Sequence, residues 1–82
     1  MHLQVHSLKK TLFDGEAESI NCKTTSGEIT VLKNHRPLIT ALAPGVLTIV
    51  DKSEKKEYIN VSSGFLEIQN NRASIIINEA PA

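Results

Sequence analysis

Phe65-Leu66-Glu67-Ile68-Gln69-Asn70-Asn71-Arg72-Ala73-Ser74-Ile75-Ile76-Ile77-Asn78 decides the fold class. Asn tolerates positive φ, so Asn70-Asn71 predicts a tight hairpin turn. The apolar runs on either side are too short for helices and rich in the β-branched residues that favour strands. Working toward the N-terminus, Ser63-Gly64 is read as a break before a further strand over 58–62, which a charged hairpin loop over 51–57 precedes. Residues 46–50 form another strand, and Ala43-Pro44-Gly45 punctuates the chain before it. Residues 33–37 read as a polar loop in which Pro37 keeps Arg36 extended. Residues 37–42 are the best helical candidate, with room for a turn or two. Ile29 and Val31 point inward from 28–32, which follows a turn at Ser26-Gly27. Ile20 and Cys22 alternate after a turn signal at Asp14-Gly15. Strict alternation would bury Glu16 and Glu18, so the strand is expected to bulge or to enter the core only after Glu18. Residues 2–8 open the chain with Leu3 and Val5 on one side and His2, Gln4 and His6 on the other.

Eight to ten short strands with turns every 8–12 residues make an all-β chain, a small β-sandwich forming one domain over 1–82. At 82 residues the core is marginal, and a partner would stabilise it. Several strands are apolar on both faces: Val46 and Val50 oppose Leu47 and Ile49, Phe65 opposes Leu66 and Ile68, and Ile76 opposes Ile75 and Ile77. A sandwich in water keeps its outer faces polar. The pattern fits either a patch buried against another chain or ordinary scattered aliphatics.

Composition excludes several function classes. Nine Lys/Arg balance nine Asp/Glu, and three aromatics are present. That charge balance and aromatic count give no nucleic-acid groove and no base-stacking platform. The apolar runs fall short of a membrane span, and one cysteine excludes an internal disulfide framework.

Catalytic and metal chemistry find little footing. His2 and His6 share a strand face but stand about 13 Å apart, too far for one ion. Cys22 pairs in principle with His35 as nucleophile and base, but the alternation buries it. Glu16 and Glu18 are read as solvated edge charges rather than an acid–base pair. The four glycines are too scattered to cradle a phosphate. No cofactor, metal or catalytic residue is expected. Lys52, in the 51–57 loop, occupies the kind of place where lipoyl and biotinyl carrier domains present their modified lysine. A carrier or small ligand-binding sandwich is therefore the alternative reading.

Three colinear segments resemble one family. Residues 10–18, KTLFDGEAE, resemble its opening LF-x-G-E-V-E segment. Gly27-Glu28 with HRPLITALAPGVL over 35–47 resembles its GE…H-x-PLLTALKPGVL run. SSGFLEIQ over 62–69 resembles its SGGFLEVQ strand. The family is the epsilon subunit of F-type ATP synthases, in its N-terminal β-sandwich domain. Thr30 replaces the family's usual glycine, and Lys33-Asn34 replaces its Pro-Gly before His35.

The resemblance implies a non-catalytic rotor-stalk subunit of the proton-translocating synthase, coupling the gamma subunit to the c-ring. Glu28 matches the c-ring-facing acidic position, and Ser7, His35 and Thr40 match gamma-facing ones. It further implies one copy per complex, membrane association only through that complex, and a place on the cytoplasmic face of the cell membrane. Family members continue into two inhibitory C-terminal helices. With the sequence ending at Ala82, the expectation is coupling without inhibition.

Overall fold

Asn70 and Asn71 both adopt the left-handed backbone that a two-residue hairpin turn needs, with φ of 54° and 57°. In the computed structural model, which describes residues 1–80, this turn joins β7 (Lys56–Gln69) to β8 (Arg72–Glu79). Six strands precede them: β1 (His2–Ser7), β2 (Thr11–Glu16), β3 (Ser19–Thr24), β4 (Gly27–Leu32), β5 (Leu38–Leu42) and β6 (Gly45–Val50). The described residues contain no helix. The expected domain over 1–82 is described to Ala80, and Pro81 and Ala82 lie outside the described residues.

The strands hydrogen-bond into two layers. One sheet runs β2-β1-β8-β7-β5 and the other β4-β3-β6-β7. β7 belongs to both: residues 56–61 pair with β6, and residues 61–69 pair with β8 and β5. Its register shifts between Val61 and Ser63, where the strand passes from one layer to the other. A bulge that bends a strand across a sandwich corner has this form. β1 lies parallel to β8, bringing the first and last strands together.

Alternation fills the space between the layers. Leu3, Val5, Leu66, Ile68, Ile75 and Ile77 point inward from one sheet, and Ile20, Cys22, Val31, Leu47 and Ile49 from the other. Fully burying each large aliphatic contributes about 1.5–3 kcal/mol, so this cluster dominates the stability.

Four expectations are corrected by the pairing. Asp14-Gly15 is not a turn but the middle of β2, held there by register with Gln4 and Leu3 of β1. Ser63-Gly64 does not break the chain, because β7 runs through it. A Cβ on Gly64 would run into the Ile76 carbonyl oxygen and stand 3.0 Å from the Ile77 Cα. The glycine therefore serves close strand approach rather than a turn. Residues 38–42 are strand, not helix, because five consecutive residues pair with β7. The β3–β4 turn centres on Thr25-Ser26, with Gly27 at φ 125° as the first residue of β4.

The expected irregularity before β3 is present. β2 ends at Glu16, Ala17 is buried, and β3 begins at Ser19, so both carboxylates stay out of the core.

Candidate partner-binding site

The outer faces of the two sheets carry the residues that alternation left unexplained. On the β5-β7-β8 face, Ile39, Phe65 and Ile76 are 74%, 64% and 55% exposed. Register makes Phe65 the direct neighbour of Ile76 on one side and Ala41 on the other, while Ile39 sits opposite Glu67. Two shallow grooves flank Ile39. One of about 260 Å³ is lined by Phe65, Ile76, Ser74 and Glu67, and one of about 400 Å³ by Pro37, Leu38, Ile68 and Glu67. On the β6-β7 face, Val46, Thr48 and Val50 project from β6, with Tyr58 directly opposite Thr48. Val46 and Tyr58 are exposed. Each layer thus presents its own apolar surface.

The four residues singled out by resemblance do not form one cluster. Ser7 ends β1, and its hydroxyl is committed to the turn that follows. Its Oγ accepts from the backbone N–H groups of Lys9 and Lys10 at 3.3 and 3.2 Å, and donates to the Lys10 carbonyl at 3.3 Å. Glu28, beside the β3–β4 turn, faces Lys23 across the ladder and is exposed. Its carboxylate makes no ion pair among the described residues. Ser7 and the β3–β4 turn lie at the same end, because a row of paired residues runs Ser7, Ile77, Gly64, Leu42, Thr24, Gly27.

His35 belongs to the opposite end. Its Nδ1–H donates to the Arg36 carbonyl at 2.7 Å, which orients the ring before Pro37. The preceding Asn34 donates its backbone N–H to Asn71 Oδ1 at 2.8 Å, tying this loop to the β7–β8 turn. Thr40 is half-buried on the core-facing side of β5, opposite Leu66, and its Oγ1 lies 3.4 Å from the Ala41 carbonyl.

The remaining polar groups take structural roles. His2 lies between Asp14 at 3.0 Å and Glu16 at 3.3 Å on the outer face. Together with His6 it projects from β1, which is flanked by β2 and β8 and is not a sheet edge. Among the described residues no three His, Cys, Asp or Glu side chains gather to hold an ion. Glu18 pairs with Lys33 at 3.0 Å. Cys22 is buried, and desolvation pushes its thiol up to about 11. A thiol held protonated in this way is a poor nucleophile at neutral pH.

Lys52 lies in a loop built on Asp51, whose Oδ1 accepts from the backbone N–H groups of Ser53 and Lys55 at 2.8 and 3.0 Å. That is a broad Asx-capped loop rather than the tight hairpin tip of a carrier domain.

Sequence reasoning missed Ile39 and Tyr58 as surface apolar residues. Ile39 was hidden by the helical reading of 37–42. Its signal was the alternation of Ile39 and Ala41 with Leu38, Thr40 and Leu42 between two prolines.

Comparison with known proteins adds the context. The sequence matches the family described as "ATP synthase, Delta/Epsilon chain, beta-sandwich domain" over residues 1–82. A chain of the Euglena gracilis mitochondrial ATP synthase, solved as its OSCP/F1/c-ring assembly, is similar at TM-score 0.88 and 27% identity. The match covers 96% of this chain and 51% of that one. A chain of the Tetrahymena thermophila mitochondrial ATP synthase, solved as its central stalk and c-ring, shares the fold at TM-score 0.84 and 19% identity. There the coverage is 96% and 63%. The chain thus spans between half and two thirds of the length of these two.

Proposed function

Because the chain belongs to the ATP synthase delta/epsilon family through its β-sandwich domain, we propose that it is a non-catalytic rotor subunit. In this role it couples the gamma subunit to the c-ring of a proton-translocating F-type synthase. The observation that carries this reading is β7, one fourteen-residue strand hydrogen-bonded into both sheets. The outer faces of those sheets each hold an exposed apolar patch. A coupling element must not let one partner slip against the other. With a strand common to both layers, displacing one sheet against the other means breaking ladder hydrogen bonds. Binding a partner on either surface therefore loads a single rigid body.

Within this reading the apolar surfaces supply most of the affinity, as large exposed aromatics and aliphatics do when a partner desolvates them. Glu28 contributes a charge toward basic groups of the c-ring loops, a modest rim interaction. Ser7, His35 and Thr40 act toward gamma mainly by fixing backbone. Ser7 holds the β1–β2 turn, His35 orients the loop before β5, and Thr40 packs beneath the Ile39 patch. One copy serves each complex. The subunit is peripheral and associates with the membrane only through the complex, on the cytoplasmic face of the cell membrane.

The test is copurification with the gamma subunit and c-ring of the same organism. Retention of both supports the reading, and binding to neither at micromolar concentration overturns it. Intact mass decides against the carrier alternative when Lys52 is unmodified, and in its favour when a lipoyl-sized or biotinyl-sized adduct is found.

A further inference from the structure

The lateral edge of β5 is open. β5 meets β3 at a single pair, Thr24↔Leu42, and beyond that point β3 has no residue opposite Leu38 to Ala41. At the closed end, Thr25 N–H donates to the Ala41 carbonyl at 3.2 Å and Ala43 N–H to the Lys23 carbonyl at 2.9 Å. Backbone groups alternate sides along an antiparallel strand, so Leu38, Thr40 and Leu42 bond toward β7. Ile39 N–H and C=O and Ala41 N–H then point outward, past the end of β3. The segment Leu38-Ile39-Thr40-Ala41-Leu42 carries no charge, no proline and no bulge, the devices that ordinarily guard an open edge. Its outward-facing side chain, Ile39, is among the most exposed large apolar residues among the described residues.

We propose that this edge is a strand-addition site. It receives an extended segment of a partner protein that carries an apolar residue beside Ile39 and a Lys or Arg reaching Glu67. The backbone groups of Ile39 and Ala41 supply register, as in other cases where a peptide extends an exposed sheet. Glu67 selects the charge, because both grooves beside Ile39 open onto its carboxylate, which has no ion pair among the described residues. A second copy of this chain fits poorly. Pairing β5 with β5 brings a second uncharged strand and a second Glu67, and no cation. The inference rests on the rotor reading, in which gamma is the partner that contributes the segment.

Amide hydrogen exchange of the full chain, alone and in complex with its gamma subunit, tests it. Ile39 and Ala41 amides are expected to exchange freely in the isolated chain and to slow about 100-fold or more in the complex. Ile39→Pro, which removes the central donor at an edge that tolerates proline, and Glu67→Lys, which reverses the charge, are each expected to weaken gamma binding about tenfold or more. Circular dichroism of both variants establishes that they fold. If gamma binds while the Ile39 and Ala41 amides exchange at the isolated rate, strand addition is wrong and the rotor reading stands. Failure of gamma to bind the unaltered chain removes both. Protection that grows with the concentration of the chain alone assigns the edge to a second copy and overturns the proposal.

Discussion

Asn34 and Asn71, 37 positions apart in sequence, are joined by a hydrogen bond from the Asn34 N–H to Asn71 Oδ1 at 2.8 Å. Both have positive φ, 62° and 57°. Asn71 thus shapes the β7–β8 turn with its backbone and anchors the loop bearing His35 with its side chain. Asn71→Gly keeps the left-handed backbone and loses the anchor, whereas Asn71→Ala loses both. Asn71→Ala is expected to destabilise by about 1–2 kcal/mol more than Asn71→Gly in urea unfolding. Both variants should accelerate exchange of the Asn34 amide.

Gly64 sits where β8 crowds β7, just past the register shift at the sandwich corner. A Cβ there meets backbone, the Ile76 carbonyl oxygen and the Ile77 Cα, not a side chain that could swing aside. Gly64→Ala is expected to cost about 3 kcal/mol, the upper end for overpacking. In a chain this small that removes much of the total stability. The urea midpoint measures it. Gly27→Ala separates the two roles of glycine: nothing lies within 4 Å of its Cβ position, so its cost comes only from the φ of 125°.

Cys22 links burial to pH. Its folded thiol titrates near 11 against an ordinary 9.0. Below pH 9 both folded and unfolded chains hold the proton, and the favourable burial is complete. Between pH 9 and 11 the unfolded chain releases its proton first, so stability falls as pH rises, by about 1 kcal/mol per pH unit from this group. Cys22→Ala lowers overall stability and removes that part of the slope. In the native protein a thiol reagent at neutral pH should react only at the rate of unfolding.

Much of the fold is legible from local chemistry. The Asn70-Asn71 turn, the inward alternation of Ile20 with Cys22, and the irregularity before β3 that keeps Glu16 and Glu18 out of the core all follow from neighbouring residues. What escaped depends on distant partners. Asp14-Gly15 carries a turn signal, but pairing with β1 outweighs it. Gly64 reads as a break because the strand that crowds it is twelve residues further on. The parallel β1–β8 pair has no local signature. The surface patches were legible as violated alternation at Val46, Phe65 and Ile76. His35 beside Pro37 is legible as a residue anchoring its own loop, whereas Ser7 gave no sign in sequence that its hydroxyl is engaged by the turn that follows.

The division of labour between patch and charge gives the last prediction. Glu28 is exposed, so in the proposed role an attraction to a basic c-ring loop is screened by water and salt. Glu28→Gln is expected to weaken c-ring binding by less than about fivefold, with the difference vanishing as ionic strength rises. Tyr58→Ala and Phe65→Ala remove large apolar side chains from the two outer faces without touching the core. Whichever face seats gamma should show a loss of about 30-fold or more from its substitution, insensitive to salt, while the other leaves gamma binding within about threefold. Titration of gamma against the two surface variants, and of the c-ring against Glu28→Gln, at low and high salt measures all three. Both side chains are exposed, so neither substitution should change the unfolding free energy by more than about 1 kcal/mol. If both surface substitutions leave every affinity unchanged while Glu28→Gln abolishes binding, charge rather than apolar contact holds the rotor together, and the role assigned to the patches fails.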